Sequence, residues 1–320
     1  MPIDNRPLAI FLMGPTASGK TALACELSDR FPVDLVSVDS ALVYRGMNIG
    51  TAKPDPYTLA RYPHALVDIR DPAQPYSAAD FCVDAEHAMR EISARGRVPL
   101  LVGGTGLYFR ALQQGLSALP CADTAIRARL AEEAAAMGWA ALHARLEQLD
   151  PLAASRIGPQ DAQRVQRALE VIELTGRPLS DQQTSGTRLF PWRVLKLALL
   201  PPERKVLHDR IAQRLDAMLA GGFLEEVRGL RARGDLHAEL PAIRAVGYRQ
   251  AWEHLEGLTG ASEFRNRSIF ATRQLAKRQI TWLRSDLGAR LFDPGQPAVI
   301  SPVADAVALF LGRPQAGASS

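Results

Sequence analysis

An apolar run that leads straight into a glycine-rich loop constrains this chain more than any other feature. Residues 8–13 read LAIFLM, which is typical of a strand buried on both faces of a parallel sheet, and residues 14–21 follow as GPTASGKT. The octet has the spacing G-x-x-x-x-G-K-T, in which glycines let the backbone wrap an anion and the next helix presents free N–H groups to it. The pattern predicts a phosphate-binding loop between a strand and a helix.

Further strands and helices alternate with this unit along the chain. Strands are predicted at 35–38, 64–69, 98–102 and 194–200, and helices at 22–30 and 77–95. Such alternation predicts an α/β fold, with a P-loop NTPase-like parallel sheet core covered on both faces. The functional site of such a sheet lies at the carboxyl ends of its strands.

The alternation stops in the middle of the chain. Helical patterns occupy 126–137, 139–149 and 161–175. We therefore predict a discontinuous catalytic core at 1–118 and 191–312, a helical insertion domain at 119–190 and a disordered tail at 313–320. After Glu203 the pattern is helical to about Leu287, with breaks at Gly221-Gly222, Gly234 and Gly247.

Charge and cysteine content exclude several classes of protein. The 320 residues carry 38 Lys and Arg against 34 Asp and Glu, and this excess of +4 is only a mild hint of a polyanionic partner. Three scattered cysteines without a CxxC or HExxH spacing predict neither a disulfide framework nor a zinc site. The polar first residues and the lack of an 18-residue apolar run predict a cytoplasmic protein that does not enter a membrane.

Two strand ends carry further candidate residues. Asp39 ends the second predicted strand, where its carboxylate could hold magnesium, orient a nucleophile or act as a general base; an ordinary turn aspartate is the alternative. Gly103-Gly104-Thr105-Gly106 follows a later strand, where many P-loop ATPases carry an acid. The absence of that acid argues against ordinary ATP hydrolysis, and the glycines indicate close approach of a ligand or simply a tight turn.

Two helices have a basic face. Residues 161–175 place Gln163 and Arg167 opposite an apolar face, and residues 272–284 place Arg273, Lys277 and Arg284 on one side, with Gln279 enlarging the polar surface. Such faces suit an RNA backbone, but a solvated amphipathic helix has the same pattern.

Seven stretches resemble sequences of a known family and follow one another in the order found in that family. The family is the bacterial tRNA dimethylallyltransferases, also called tRNA isopentenyltransferases. The stretches are GPTASGKT (14–21), DSALVYRGMNIGTAKP (39–54), PYSAADF (75–81), LVGGTGLY (101–108), QRVQRALEV (163–171), RAVGYRQ (244–250) and TRQLAKRQITWLR (272–284). Together they span nearly the whole chain, and Asn48 stands where related sequences often carry Asp. The resemblance implies transfer of a dimethylallyl group from dimethylallyl diphosphate to the exocyclic amine of the adenosine 3′ to the tRNA anticodon.

The resemblance also implies roles for individual residues. The catalytic set is Asp39, Thr105, Lys20 and Arg214, with Arg210 kept open as the arginine that reaches the diphosphate. The loop that holds the diphosphate comprises Gly14, Pro15, Thr16, Ala17, Ser18, Gly19, Lys20 and Thr21, with the cofactor Mg²⁺ near Thr21. Asp39 is expected to accept a proton or hydrogen bond from the adenine amine, and Thr105 to help align the reacting ends.

The partner implied by the resemblance is the anticodon arm of tRNA, from which a base must be flipped out to reach a buried diphosphate. The expected tRNA contacts are Asp39, Ser40, Ala41, Leu42, Thr105, Arg127, Gln163, Arg164, Val165, Gln166, Arg167, Arg244, Ala245, Val246, Gly247, Tyr248 and Arg249. We expect a monomer, because the tRNA must follow a long surface.

Two other functions remain open from the sequence. A P-loop kinase acting on a nucleotide or small metabolite would also use the loop and Asp39, although it needs no helical insertion. A non-enzymatic RNA-binding protein would not need the intact Gly14, Gly19, Lys20 and Thr21 set. The loop is also typical of ATP-binding and other nucleotide-binding proteins, and the sequence leaves open whether ATP occupies it.

Overall fold

The computed structural model describes residues 4–117, 119–120, 122–183 and 189–312. The tail predicted at 313–320 lies outside these residues. The chain divides into two compact units. The first comprises the segment up to Gln113 and the segment from Phe190, and the second comprises Gln114–Leu189, so its first boundary falls at 114 where the sequence placed it at 119.

The secondary structure alternates in the first unit and is helical in the second. The strands are β1 Leu8–Met13, β2 Val33–Val38, β3 His64–Ala65, β4 Val98–Gly103, β5 Arg193–Leu199 and β6 Arg290–Phe292. The helices are α1 Lys20–Arg30, α2 Pro56–Arg61, α3 Ala78–Ala94, α4 Gly106–Gln114, α5 Thr124–Met137, α6 Trp139–Leu149, α7 Pro151–Ala154, α8 Ala162–Thr175, α9 Leu179–Gln182, α10 Arg204–Ala220, α11 Phe223–Ala232, α12 Tyr248–Leu255, α13 Ala261–Ser285 and α14 Ile300–Phe310. No described helix is both long and apolar enough to cross a lipid bilayer.

The six strands form one parallel sheet in the order β3-β2-β4-β1-β5-β6. This confirms the predicted α/β class. Strand β1 lies between β4 and β5, and its last residue, Met13, is level with Gly103 on one side and Ala198 on the other. The loops that follow β1 and β4 therefore leave the sheet side by side at its carboxyl edge.

Both faces of the sheet are covered, which explains why β1 has no polar alternation. Phe11 and Met13 pack into a core with residues of α3 and α4, whereas Ile10 and Leu12 pack into a second core with residues of α1 and α14. Every side chain of β1 from Ala9 onward is buried. The sequence of a strand that is enclosed on both faces is a continuous apolar run.

Several elements differ from the prediction. The strand predicted at 64–69 is only two residues long, and the sequence did not predict α2, α4, α7, α9, β6 and α14. The predicted breaks at Gly221-Gly222, Gly234 and Gly247 are confirmed, and a further break precedes α13 at Gly257–Gly260. Helix α14 carries a signal that could have identified it, because Val303, Ala306 and Val307 have helical spacing and are buried.

The second unit is a small helical domain with its own core. Leu130 of α5, Leu142 and Leu146 of α6 and Leu169 of α8 pack together in it. Helix α8 ends at Gly176, whose φ of 68° lies in the left-handed region that glycine adopts without strain. The end of α8 at Thr175 matches the end of the helix predicted at 161–175.

Candidate active site

The glycine-rich loop turns sharply between β1 and α1. Helix α1 begins at Lys20, and its N-cap Gly19 has a φ of 84°, while Ala17 also has a positive φ of 62°. A Cβ atom on Gly14 would lie 2.7 Å from Ser18 Oγ and 2.9 Å from Leu199 O, so no larger residue fits there without a shift. The loop thus wraps around the amino end of α1, where backbone N–H groups lack partners within the helix.

A cavity of about 750 Å³ opens at this edge of the sheet, within the first unit. Its lining comes from the loop, the ends of β2 and β4, helices α10 and α13, and the segment before α12. It includes residues 16–22, 39–42, 102–105, 244–248, Arg210, Arg214 and Gln279. The structure therefore brings the loop, Asp39, Thr105 and Arg214 around one space, as a reaction between two bound groups requires.

Two partly buried cations, Lys20 and Arg214, face this cavity. Lys20 Nζ donates a 2.7 Å hydrogen bond to Pro15 O, and burial lowers the pKa of Lys20 to about 8, while Asp39 opposes and Arg214 adds to this effect. Burial also lowers the pKa of Arg214, which donates a hydrogen bond from Nη2 to Thr16 Oγ1. An anion in the cavity would stabilise both charges.

The contacts of Asp39 fit both a turn-forming aspartate and a residue with a chemical role, the two alternatives that the sequence left open. Its Oδ1 accepts hydrogen bonds from the N–H groups of Ala41 (2.8 Å) and Leu42 (3.3 Å), so it shapes the turn after β2. Within the described residues no hydrogen bond reaches its Oδ2, and the residue lines the cavity. Thr105 lies beside this turn, and its Oγ1 accepts a 3.3 Å hydrogen bond from the N–H of Ser40.

Sequence reasoning missed Glu226, which holds one wall of the cavity. Its carboxylate accepts the N–H groups of Asn48 and Ile49 at 2.8 Å each and that of Gly50 at 3.2 Å, and it also accepts the hydroxyl of Tyr248. Burial, reinforced by this neighbouring carboxylate, raises the pKa of Tyr248. A lone glutamate on an amphipathic helix gives no sequence signal of such a role.

Sequence reasoning assigned Gln279 to a basic face for RNA, but its side chain lies in the cavity. Gln279 Oε1 accepts the N–H of Thr16 at 2.8 Å, and its Nε2 donates to Gly104 O at 3.0 Å. Helical periodicity identified the polar side of α13, but it does not say what that side faces.

The expected tRNA contacts of the second unit differ in accessibility. Gln163 and Arg164 are exposed, whereas the side chain of Val165 is fully buried in the helical core and is unable to touch a partner. Arg127 and Arg167 are partly exposed and both bind Glu170. Gln166 Nε2 donates to the main-chain oxygen of Arg127 at 2.9 Å. Arg127, Gln166 and Arg167 therefore form one cluster.

The expected contacts of the first unit surround the cavity mouth. Arg244 is exposed and lines the cavity together with residues 245–248, of which Tyr248 is buried. Arg249 is exposed and forms an ion pair with Glu253. Ser40, Ala41 and Leu42 also line the cavity.

A comparison with known families places the chain. A family model described as IPP transferase matches residues 42–286. The chain belongs to this family. The match begins after the phosphate loop, which precedes the matched residues in the chain.

Two relatives that match over nearly the whole chain agree with this family. The tRNA dimethylallyltransferase of Xanthomonas axonopodis pv. citri is 61% identical over 301 residues, which cover 92% of each chain. That of Stenotrophomonas maltophilia is 58% identical over 319 residues, covering 98% of this chain and all of the relative. These relatives and the family match confirm the resemblance inferred from the seven sequence stretches.

Solved structures agree as well. The full-length tRNA isopentenylpyrophosphate transferase from Bacillus halodurans is 35% identical with a TM-score of 0.71, and the alignment covers 96% of this chain and 97% of that one. A eukaryotic dimethylallyltransferase acting on tRNA has a TM-score of 0.78 at 24% identity, over 98% of this chain and 81% of the other. Because its identity is so low, the second structure supports only the fold of this IPP transferase family member.

Proposed function

We propose that this chain transfers the dimethylallyl group of dimethylallyl diphosphate to the exocyclic amine of the adenosine 3′ to the anticodon of tRNA. The products are N6-dimethylallyladenosine and diphosphate. One observation carries the proposal: a single cavity is lined by a phosphate loop, by the partly buried cations Lys20 and Arg214 and, from the neighbouring strand ends, by Asp39 and Thr105. Family membership and the named relatives support the same activity.

The phosphate loop would hold the leaving group. When the allylic C–O bond breaks, negative charge develops on the diphosphate and positive charge spreads over the allyl group. Lys20, Arg214 and the free N–H groups at the start of α1 would stabilise the diphosphate charge, and they are already in place before the reaction. No phosphoryl group is transferred, and the acid expected in an ATPase is not needed.

The chemistry of the lining suits a magnesium ion beside this leaving group. Thr21 lines the cavity and offers a hydroxyl oxygen, the kind of ligand that Mg²⁺ prefers. The described residues contain no cluster of three or more His, Cys, Asp or Glu side chains placed to hold a metal, so we propose that water and diphosphate supply the remaining ligands. When bound, the ion would neutralise charge on the diphosphate oxygens.

Asp39 would activate the acceptor. An aromatic amine is a poor nucleophile, and its nitrogen must lose a proton as the new N–C bond forms. The Oδ2 atom of Asp39 is available to accept that proton or a hydrogen bond from it, while Oδ1 keeps the turn in place. Thr105, beside the same turn, would help to align the amine with the allylic carbon.

The tRNA would bind through its anticodon arm. A stacked adenine is unable to reach a cavity at the edge of the sheet, so the base must leave the stack and enter it. We propose that Arg244 and Arg249 contact the RNA near the cavity mouth, and that Arg164 and its neighbours on α8 contribute further contacts. We also propose that the protein acts as a cytoplasmic monomer.

The deciding experiment supplies unmodified tRNA, Mg²⁺ and dimethylallyl diphosphate labelled in the allyl group, without ATP. Label should enter the RNA and appear in N6-dimethylallyladenosine after digestion. Because ATP carries phosphates that suit the same loop, added ATP should compete and slow the reaction. Label transfer that strictly requires ATP would contradict the proposal, and tRNA binding without transfer would indicate a non-enzymatic RNA-binding protein.

A further inference from the structure

Gln279 connects two loops that lie at the carboxyl edge of the sheet. It projects from α13, and the two polar atoms of its amide are both used: Oε1 accepts from Thr16 N at 2.8 Å and Nε2 donates to Gly104 O at 3.0 Å. Thr16 belongs to the loop after β1, and Gly104 to the loop after β4. A side chain from a distant helix thus bridges the backbones of both loops.

The fit at this bridge is tight. A Cβ atom on Gly104 would lie 2.4 Å from Gln279 Nε2 and 3.0 Å from Gly14 O, and Gly104 is therefore required for the approach of the amide. Strands β1 and β4 are paired up to Met13 and Gly103, so their backbone register is already fixed by the sheet. Beyond the strand ends the described residues contain no other side chain that hydrogen-bonds to both loops.

The bridge continues on both sides into groups that the proposed reaction uses. Next to Thr16 N, the hydroxyl of Thr16 accepts a hydrogen bond from Arg214. Next to Gly104, Thr105 Oγ1 accepts the N–H of Ser40, which follows Asp39. Gln279 therefore lies between the half of the cavity that would hold the diphosphate and the half that would hold the amine.

We propose that Gln279 is a positioning residue that fixes the distance between the leaving-group half and the acceptor half of the cavity. It acts through the backbones of Thr16 and Gly104, and this role rests on the proposed prenyl transfer. Displacement of one reacting group by about 1 Å can cost about a hundredfold in rate. Loss of the bridge should therefore reduce kcat while leaving the cations and the RNA-binding surface intact.

The test uses Gln279→Met, which keeps the length of the side chain but has no amide, and Gln274→Met on the same helix as the matched control. Within the described residues the side chain of Gln274 makes no hydrogen bond. For Gln279→Met we expect kcat to fall by about ten- to a hundredfold. The KM for tRNA and the Kd for inorganic diphosphate should change by less than about threefold, since Lys20 and Arg214 are untouched.

A second variant separates the two halves of the bridge. Gln279→Glu keeps an acceptor for Thr16 N–H, loses the donor to Gly104 O and places a negative charge beside the diphosphate. It should lower kcat as Gln279→Met does and also weaken diphosphate binding by at least about tenfold. If Gln279 had only a structural role, both variants would lower the melting temperature or the active fraction. The loss of kcat would then not be separable from the loss of diphosphate affinity.

The outcomes are distinct. A Gln279→Met enzyme with kcat within threefold of the wild type would overturn the inference, and so would a loss of kcat matched by an equal loss of diphosphate affinity. If neither the wild type nor Gln274→Met transfers label, the proposed function fails instead. A wild type that transfers label while Gln279→Met retains full kcat refutes only the role of Gln279.

Discussion

Glu170 and Arg127 face each other through two hydrogen bonds, from Arg127 Nε to Oε1 at 2.8 Å and from Nη2 to Oε2 at 3.1 Å. Glu170 is fully buried, and it also accepts Arg167 Nη1 at 2.6 Å and the N–H of Asp123 at 2.8 Å. Two arginines expected to contact tRNA are thus held by one carboxylate. The fold and the expected RNA surface of the helical unit depend on the same residue.

Glu170→Gln should destabilise the helical unit. Burial raises the pKa of Glu170, but the hydrogen bonds from Arg127 and Arg167 outweigh it and hold the pKa below its usual 4.5. Because the folded pKa is lowered, the stabilisation is present above about pH 4.5 and is lost as the pH falls through the folded value. We expect a loss of about 1–3 kcal/mol in the free energy of unfolding at pH 7, measured by hydrogen exchange of α5 and α8 amides. The control Glu132→Gln, at an exposed site on α5, should have no effect. If Glu170→Gln lowers the free energy of unfolding equally at pH 7 and pH 3, the assignment is contradicted.

Lys20 should make diphosphate binding sensitive to pH near 8. Its pKa is lowered to about 8 by burial, so the ammonium group of the free protein is progressively lost above that pH. Calorimetric titration with dimethylallyl diphosphate should show affinity falling by up to about tenfold per pH unit above 8. Lys20→Met should bind weakly and lack this dependence, and Lys205→Gln, at an exposed site, should behave as the wild type. The same pH profile in Lys20→Met and the wild type would refute the assignment.

Asp39→Asn should distinguish the turn-forming role of Asp39 from its chemical role. Asparagine retains an oxygen that can accept the N–H groups of Ala41 and Leu42, but it has no carboxylate to take a proton. We expect kcat to fall by about 10²–10⁴-fold with little change in tRNA affinity, measured by single-turnover transfer and filter binding. If Asp39→Asn is active and Asp39→Ala is not, the residue acts through the turn alone.

Gly50→Ala should destabilise the first unit, because the added Cβ would lie 2.1 Å from the ring of Phe223 and 2.6 Å from that of Tyr248. The expected cost is about 1–3 kcal/mol in urea unfolding. Gly229→Ala offers the opposite case on α11, where a Cβ meets nothing within 4 Å and the glycine weakens the helix. That variant should gain about 0.5–1 kcal/mol, and equal effects at the two sites would contradict the packing around Gly50.

Arg164→Ala should weaken tRNA binding without affecting the fold. Its side chain is 71% exposed and, among the residues that the structure describes, it forms an ion pair only with Asp161 at the start of the same helix. Loss of one phosphate contact should weaken binding to all tRNAs alike and reduce the slope of log affinity against log salt by about 1. Arg30→Ala, which removes an exposed ion pair on α1, serves as the control. An unchanged salt slope would remove Arg164 from the RNA surface.

The fold class could be predicted from the sequence because β1 and the loop after it combine two strong local signals. An apolar strand buried on both faces and a glycine-rich anion loop each have a physical cause within a few residues. Strand β6 has no such signal: it is three residues long and Arg290 and Leu291 are exposed. Its pairing with β5 depends on tertiary contacts that no local pattern encodes.

The candidate site was predictable where residues follow strand ends and hidden where distant helices contribute. Asp39 and Thr105 could be placed because the strands before them end at one edge of the sheet. The roles of Gln279 and Glu226 depend on how α13 and α11 pack, which their amphipathic patterns do not determine. Val165 fell within a stretch expected to contact RNA, but its position on the apolar face of α8 already indicated burial.

The position of β1 between β4 and β5 has a consequence for synthesis on the ribosome. Strands β1 to β4 emerge first, but β5 follows only after the whole helical unit has been made. During that interval the edge of β1 that will pair with β5 has free backbone groups, and such an edge invites pairing with other chains. Nascent chains that stop before residue 193 should therefore be the form of this protein most dependent on chaperones.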